Sequence, residues 1–375
     1  MNFTRTDTSV IARWWWTVDR WSIAAIAALI AIGAMMTLAA SPAIATRIGT
    51  DNFHFVRRHF AFLPLAVCTI FFISLLSPRN IRRLGLVLFG GTLVALALLP
   101  LIGNHLNGAT RWFSLFGISV QPSEFAKPAF AIVIAWMLYE KRLRHGFPGS
   151  LIATGIYALT AALLLIQPDV GMTLVVTAMW ITQLFVAGLS WFLVILFLSL
   201  GLAAAVGAYF MFPHVAARID RFLDSSSNLA DNFQPMTAMR AFQSGGLFGR
   251  GPGEGQVKST LPDAHTDFIM AVAGEEFGMI LCLFILLLFA FLVLRGYARM
   301  LHENNLFVLL ATTGLLAQFG LQAIINMAST LHMMPTKGMT LPFISYGGSS
   351  MIALSICIGM VLALTRRRVG TGELE

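Results

Sequence analysis

Charged residues are scarce in this sequence. Of its 375 residues only 11% are Asp, Glu, Lys or Arg, whereas 57% are hydrophobic and the mean hydropathy is +0.79. Soluble globular chains have roughly 25% charged residues, so in water this chain would leave a large apolar surface uncovered. The shortage of charge excludes a soluble fold and predicts an integral membrane protein.

Cysteine is also rare, and its positions exclude a disulfide framework. Cys68, Cys282 and Cys357 all lie inside apolar runs. Three thiols cannot pair completely, and none of them has the spacing of a metal ligand. We therefore expect these cysteines to be small buried side chains.

A continuous basic face is missing as well. The net charge is +8 and the pI is near 9.9, but the basic residues form short clusters between apolar runs. Such clusters orient membrane helices and meet lipid headgroups. A nucleic-acid footprint needs one continuous basic surface, so we expect no nucleic-acid partner.

The sequence has long apolar runs instead. Each run is about 15–27 residues long, which suits a helix that crosses the hydrocarbon region with some tilt. The sequence therefore predicts an all-α polytopic membrane protein with about ten transmembrane helices, forming a single integral membrane domain over residues 1–375. The runs lie near residues 22–40, 60–77, 84–101, 125–139, 150–166, 170–188, 190–212, 268–294, 306–326 and 345–364.

The basic clusters predict the orientation of these helices. They lie before the first run and after the second, fourth, eighth and tenth runs, which places both termini in the cytoplasm. Arg57 and Arg58 are the exception, because this orientation puts them on the outer side. The clusters that agree are Arg13/Arg20, Arg79/Arg82/Arg83, Lys141/Arg142/Arg144, Arg295/Arg299 and Arg366/Arg367/Arg368.

Three longer segments, 102–124, 213–267 and 327–344, then become extracytoplasmic loops. We expect them to carry the functional site. In the first, Arg111 is suited to bidentate contact with a phosphate, and Lys127 adds a charge just inside the next helix. Glu124 and Lys127 could instead be a structural i,i+3 pair, and the two roles are compatible.

Acidic residues near the outer ends of helices leave two interpretations open. Asp267, or its neighbour Thr266, could cap the helix that follows, or the carboxylate could be a catalytic base. Glu275 and Glu276 lie deeper in that helix and could pair with a basic residue on a neighbouring helix or have a function. Asp169, beside Pro168, poses the same question.

Glycine and proline interrupt two of the outer segments. Residues 245–255 are rich in glycine and include Arg250, but no Gly-Lys-Ser/Thr follows, so they do not form a P-loop. We expect a pliable loop close to a ligand. Residues 335–350 cannot form a regular helix, which predicts a broken segment lining a cavity into which Lys337 points.

Four motifs occur in order along nearly the whole chain. They are Arg111-Trp112 with Gln121-Pro122-Ser123-Glu124, then Gln167-Pro168-Asp169, then His265-Thr266-Asp267-Phe268, and then residues 341–350, Leu-Pro-Phe-Ile-Ser-Tyr-Gly-Gly-Ser-Ser. Together they resemble the SEDS family (shape, elongation, division, sporulation).

Residues 335–342 are more similar to the division branch of this family than to its elongation branch. Two residues depart from the family pattern. His332 stands where glycine is usual, and Asp263 stands where glutamate is more common.

The resemblance implies a SEDS-type fold and a peptidoglycan glycosyltransferase that polymerises lipid II. It assigns the catalytic aspartate to Asp267. Cations should stabilise the charge that develops on the pyrophosphate leaving group, with Arg111, Lys127, Lys337 and Arg250 as candidates. Supporting polar roles fall to Glu124, Asp169, His265, Glu276 and Ser345. No metal site is predicted, although a divalent cation, Mg²⁺ or Mn²⁺, could assist.

The resemblance also implies partners and a location. Lipid II would be the substrate, and a cognate class B penicillin-binding protein, a transpeptidase, would be the partner together with other divisome proteins. The location would be the cell inner membrane, at the division septum. The competing functions are a lipid II flippase and an elongation-type polymerase.

Overall fold

The computed structural model of the chain is a helical bundle and describes residues 9–49, 51, 53–106, 109–115, 118–211, 216, 220, 222, 233–335 and 338–367. All ten apolar runs form helices, which confirms the predicted polytopic all-α membrane fold. Six of the described helices are long and apolar enough to cross a membrane. The helices are α1 Val10–Thr17, α2 Arg20–Ile48, α3 His54–Ser74, α4 Pro78–Ile102, α5 Pro122–Leu143, α6 Gly149–Ile166, α7 Val170–Val186, α8 Trp191–Met211, α9 Phe233–Gly245, α10 Ile269–Met300, α11 Leu306–Thr330 and α12 Gly348–Leu364.

A small sheet is the exception to the helical fold. The outer segment before α5 forms β1 Asn104–Leu106, β2 Ala109–Leu115 and β3 Ile118–Val120. These strands pair antiparallel in the order β1-β2-β3. The apolar-run pattern could not reveal such short strands, and β2 is the element that carries Arg111.

Helices α5 and α11 form the centre of the bundle. Helix α5 packs against α4, α6, α7, α11 and α12, and α11 is buried along most of its length. The amide of Gln183 on α7 joins this centre, because its Nε2 donates to the carbonyl oxygens of Ala131 at 2.7 Å and Leu310 at 3.1 Å. Gly314 permits the approach, since a Cβ atom there would lie 2.5 Å from that nitrogen.

Helix α10 is broken at Gly278, which has a φ of +78° and a ψ of −176°. Its 32 residues would extend about 48 Å, more than the roughly 30 Å of a bilayer's hydrocarbon. The part after the break, residues 279–300, is about 33 Å long and is sufficient to span. The part before the break therefore stands at the outer end of the bundle.

The two described ends of the chain meet on the opposite face, which the basic clusters assign to the cytoplasm. The N–H of Arg367 donates to the carbonyl of Thr17 at 3.0 Å. On the same face, the buried Asp19 binds the Arg295 guanidinium through both carboxylate oxygens, at 2.5 and 2.8 Å, and contacts Arg299 at 3.1 Å. One carboxylate thus joins the start of α2 to the end of α10.

We predict that Asp19→Asn destabilises the protein by about 2–3 kcal/mol, because two partly buried guanidinium groups lose their acidic partner. Unfolding in mixed micelles measures this change. Asp51→Asn is the matched control. It removes the exposed Arg57–Asp51 pair, and such pairs contribute at most about 1 kcal/mol. Equal losses in the two variants would contradict the role of Asp19.

Candidate functional site

Asp267 lies in a tight turn at the outer end of α10. The N–H groups of Thr266, Asp267 and Phe268 all donate to the carbonyl oxygen of Asp263, at 3.1, 3.1 and 3.3 Å. Asp263 has a φ of +53°, a left-handed conformation that Asp and Asn adopt more readily than other side-chain-bearing residues. The half-buried Asp267 carboxylate flanks Gly338, where a Cβ atom would lie 3.6 Å from Oδ2.

The hypothesis that Thr266 or Asp267 caps α10 is wrong. The N-cap residue is Phe268, and no side chain caps the helix there. The Thr266 hydroxyl donates to the Asp263 carbonyl at 3.2 Å instead. Within the described part of the chain, the side chains that hydrogen bond to Asp267 reach its main-chain carbonyl and not its carboxylate. The carboxylate is therefore available for chemistry.

Burial, with a smaller contribution from the negative charge of Asp263, raises the pKa of Asp267 from 3.8 to about 7. Burial has this effect because the ionised carboxylate loses hydration that the neutral acid needs less. A group whose pKa lies near neutral pH can accept a proton in one step and release it to solvent in the next.

Two amide side chains of α11 hold the turn and the segment that faces it. Asn326 Nδ2 donates to the carbonyl oxygens of Asp267 at 2.9 Å and Met339 at 2.7 Å. One turn earlier, Gln322 Nε2 donates to the carbonyl of Thr340 at 3.1 Å. The buried amides thus supply donors to irregular backbone that has no helical partner.

The segment after Gly338 contacts the same turn from its other side. Ser345 Oγ donates to the Thr266 carbonyl at 2.5 Å and accepts from the N–H of Leu341 at 2.8 Å. The N–H of Tyr346 donates to the His265 carbonyl at 2.9 Å. The prediction of a broken segment at 335–350 therefore agrees with the described residues, whereas Thr336 and Lys337 lie outside them.

His265 packs among aromatic rings beside this turn. Its ring centroid lies 4.6 Å from that of Phe55 and 5.4 Å from that of Tyr346. Burial lowers the pKa of His265 to about 4, although the charge of Asp263 opposes the change. His265 is consequently neutral at physiological pH and acts here as packing and polar lining, not as a cation.

Lys127 is completely buried and paired. Its Nζ lies 2.8 Å from Glu124 Oε2 and donates to Gln322 Oε1 at 2.7 Å. Gln322 reaches Thr340, and Thr340 Oγ1 hydrogen bonds to Ser350 Oγ at 2.6 Å. The i,i+3 pair expected from the sequence is present. Through Gln322 and Thr340 it supports the segment after Gly338, on the side of that segment away from Asp267.

Arg111 reaches the corner between α6 and α7. Its guanidinium donates to the carbonyls of Gln167 at 3.3 Å and Pro168 at 2.5 Å, and its Nε lies 3.9 Å from Asp169 Oδ2. Asp169 also caps α7, because its Oδ1 accepts from the N–H of Met172 at 3.2 Å. The basic residue near Asp169 is therefore Arg111, which lies on strand β2 and not on a neighbouring helix.

The glycine-rich loop packs against the break in α10. The N–H groups of Arg250 and Gly251 donate to the carbonyls of Glu275 and Glu276, while Met279 donates to the carbonyl of Gly246. Lys258, in the 3-10 turn Val257–Ser259, forms an ion pair with Glu276. Glu275 accepts from the N–H groups of Val257 at 2.7 Å and Lys258 at 2.9 Å.

This arrangement corrects one expectation, because the basic partner of Glu276 lies on a loop and not on a neighbouring helix. The glycines permit backbone contact with α10, since a Cβ atom at Gly249 would lie 2.2 Å from the Glu276 carbonyl oxygen. The Arg250 side chain is exposed and donates to the Ser244 carbonyl at 3.1 Å. This hydrogen bond joins it to the end of α9, directly before the glycine-rich loop.

No group of three or more His, Cys, Asp or Glu side chains comes together as a metal site in the described ranges. Gln322 and Asn326 are two further site residues that were not predicted from the sequence. Their signal was a row of polar residues spaced four apart on an otherwise apolar helix, Gln318, Gln322, Asn326 and Thr330, since such residues share one helix face.

We predict that Asp263→Asn lowers the pKa of Asp267 but leaves it well above 3.8, because burial is the larger cause of the increase. Asn retains the left-handed backbone at residue 263. Carbon-13 NMR of labelled aspartate carboxyl groups measures the titration. An unchanged pKa would show that the Asp263 charge does not reach Asp267.

We also predict that Gly249→Ala destabilises the protein by about 1–3 kcal/mol more than Gly253→Ala, because a Cβ at 249 collides with α10. The two glycines have φ values of +82° and +85°, but only open space surrounds a Cβ at 253. Denaturant unfolding in detergent compares the pair. Equal losses would mean that backbone conformation alone explains both.

Comparison with known proteins identifies relatives over almost the whole chain. Residues 20–369 match a protein family named for FtsW, RodA and SpoVE and described as cell cycle proteins. A protein of Caulobacter vibrioides named "Probable peptidoglycan glycosyltransferase FtsW" is 46% identical over 374 residues, covering 98% of this chain and 94% of the relative. A Coxiella burnetii protein of the same name is 33% identical, covering 93% and 96%.

Solved structures share the fold. One chain comes from a study of "structural coordination of polymerization and crosslinking by a peptidoglycan synthase complex"; its TM-score is 0.77 at 28% identity, covering 93% of this chain and 97% of that one. The rod shape determining protein RodA of Thermus thermophilus has a TM-score of 0.67 at 28% identity, covering 94% and 97%.

Proposed function

The chain belongs to the FtsW/RodA/SpoVE family of cell cycle proteins, the SEDS family that its motifs resemble, and we propose that it polymerises lipid II with Asp267 as the general base. It is an FtsW-type peptidoglycan glycosyltransferase and a multi-pass membrane protein. The observation that supports the proposal is the Asp267 carboxylate itself, which is half-buried at the outer face and has a pKa raised to about 7 by burial.

The proposed reaction joins two lipid-linked disaccharides. The Asp267 carboxylate accepts the proton of the 4-hydroxyl on the acceptor's GlcNAc, and that oxygen attacks C1 of the donor's MurNAc. The new C–O bond is a β-1,4 link, so the configuration at C1 inverts. The bond from C1 to undecaprenyl pyrophosphate breaks, and the diphosphate leaves with the electron pair. One base is sufficient, because pyrophosphate departs without protonation by a strong acid.

Cations near the departing diphosphate would lower the barrier. Lys337 remains a candidate, because it precedes Gly338, the residue that flanks the Asp267 carboxylate. Arg111 donates to two carbonyls and has further N–H groups to offer. Lys127 would act indirectly, because its hydrogen bond to Gln322 connects it to Thr340 of the segment that faces Asp267. Arg250 is the weakest candidate, because its described contacts lie with the glycine-rich loop.

The proposal assigns no residue to a divalent cation such as Mg²⁺ or Mn²⁺, because the described His, Cys, Asp and Glu side chains form no cluster of three. It includes a transpeptidase partner, a class B penicillin-binding protein, and other divisome proteins. The structural relative from a complex that couples polymerisation and crosslinking supports such a partner. The inner membrane at the division septum is the proposed location.

The test is polymerisation of purified lipid II by the full chain, in the presence of its transpeptidase partner. Asp267→Asn and Asp267→Ala should reduce the rate at least about 100-fold, as expected for loss of a general base, with normal expression and membrane insertion. The wild-type rate should rise with pH through about 7, because only the ionised carboxylate accepts a proton.

Asp263→Asn is the matched control. It should retain activity and move the midpoint of the pH profile to lower pH, since it removes one cause of the raised pKa of Asp267. Full activity of Asp267→Asn, or an unchanged pH profile in that variant, would exclude Asp267 as the base.

A further inference from the structure

Arg58 is a cation on the outer face, where the charge pattern of this protein disfavours one. It lies in the first turns of α3, His54–Ser74, whose other end contacts the cytoplasmic residues Trp14 and Arg366. Positive charges outside oppose the orientation that the remaining clusters impose. An outer arginine therefore runs against that preference, and a specific ligand for it would explain its position.

Its neighbour Arg57 has an acidic partner, and Arg58 has none among the residues that the structure describes. Arg57 forms an ion pair with Asp51 at 2.8 Å, and both side chains are exposed. Arg58 is also exposed, but it forms no ion pair with any acidic side chain that the structure describes. The two adjacent arginines thus differ in whether an acidic side chain already occupies the guanidinium, and only Arg58 is open to an anionic ligand in this sense.

The contacts of α3 place Arg58 beside the site. Phe55, three residues earlier on the same helix face, packs against His265 at 4.6 Å and Tyr346 at 5.4 Å. The Arg58 guanidinium lies beside the Tyr346 hydroxyl. His265 and Tyr346 belong to the two segments that hold Asp267 and Ser345, so Arg58 lies at the rim of the arrangement built around the base.

Two buried histidines at the contact of α3 with His265 and Tyr346 have ring nitrogens without hydrogen-bond partners in the described structure. His59 is 1% exposed, and neither of its ring nitrogens has a hydrogen-bond partner in the described structure. Its ring lies 6.4 Å from that of Tyr346. Nδ1 of the buried His265 is unpaired in the same way. Buried polar atoms are normally hydrogen bonded, so two such histidines in one cluster point to a polar ligand on this side of the Asp267 turn.

Two of the cations predicted from the sequence have partners inside the protein. Arg111 donates to the carbonyls of Gln167 and Pro168, and Lys127 is enclosed by Glu124 and Gln322. Arg58 differs from both, because it is exposed, lacks an acidic partner in the described ranges and contacts the segments around Asp267.

We propose that Arg58 binds the diphosphate of the lipid-linked substrate at the outer face. A guanidinium forms two parallel hydrogen bonds with phosphate oxygens, and the outer end of a spanning helix lies at the depth of lipid phosphates. The inference rests on the proposed function for the identity of the substrate. A phospholipid headgroup offers the same phosphate chemistry, and the experiment separates the two sources.

The experiment compares Arg58→Gln, Arg58→Lys and Arg57→Gln in the full chain. Binding of undecaprenyl diphosphate and of phosphatidylglycerol is measured by native mass spectrometry, and lipid II polymerisation gives kcat and KM. Arg58→Gln should weaken undecaprenyl diphosphate binding and kcat/KM by roughly tenfold or more, as for loss of a charged hydrogen-bond donor. Arg58→Lys should be intermediate, and Arg57→Gln should stay within about twofold of wild type.

Two results would overturn the proposal. Equal losses in Arg58→Gln and Arg57→Gln would show a general charge effect. Equal loss of phosphatidylglycerol and undecaprenyl diphosphate binding in Arg58→Gln would show contact with bilayer lipid only. Arg58→Lys keeps the argument testable if Arg58→Gln does not fold. A wild-type protein that binds the diphosphate through Arg58 but does not polymerise lipid II would refute the proposed function and leave this binding site standing.

Discussion

Every backbone N–H and C=O at membrane depth must find a partner inside the protein, because hydrocarbon supplies none. In the outer half of this bundle, several backbone groups lie where a helix breaks or ends and so have no helical hydrogen-bond partner. At Gly278, where α10 breaks, the glycine-rich loop takes over, since its N–H groups and carbonyls pair with residues on both sides of the break. Where the chain turns before α10, the carbonyl of Asp263 accepts three N–H groups at once. These non-helical hydrogen bonds take the place of helical ones and fix the position of the Asp267 turn.

Buried amides extend the same principle to the segment opposite the base. Asn326 and Gln322 lie one helical turn apart on α11 and donate to three carbonyls that no strand or helix satisfies. Gln322 also accepts from Lys127, so the buried ion pair with Glu124 is joined to the site through a single amide. A charged pair in this position is costly unless each member is hydrogen bonded, and the network meets that condition for the lysine. The site is therefore held by polar groups of the bundle's interior.

Much of this architecture was readable in the sequence. Ten apolar runs predicted ten helices, and the outer segments were recognised as the places where glycine, proline and charge accumulate. Asp267 stood out because it preceded an apolar run, yet the sequence left capping and catalysis open, and only the contacts of Phe268 and Asp263 decided against a cap. The pairing of Glu276 with Lys258 could not be predicted, because it depends on a loop that approaches a broken helix through Gly249 and Gly245. Periodicity does not encode such close approaches between backbones.

The break in α10 has a mechanical consequence for an enzyme embedded in lipid. The lower piece, residues 279–300, must match the thickness of the surrounding bilayer, and helices adjust to thickness by tilting. The upper piece is fastened to the glycine-rich loop through Glu275 and Glu276 and to α11 through Asn326. The lower piece is joined to α2 through the pair of Arg295 with Asp19. Because the two pieces have separate attachments, we expect a small change of tilt in the lower piece to be absorbed at Gly278, while the hydrogen bond from Asn326 holds the Asp267 turn against α11.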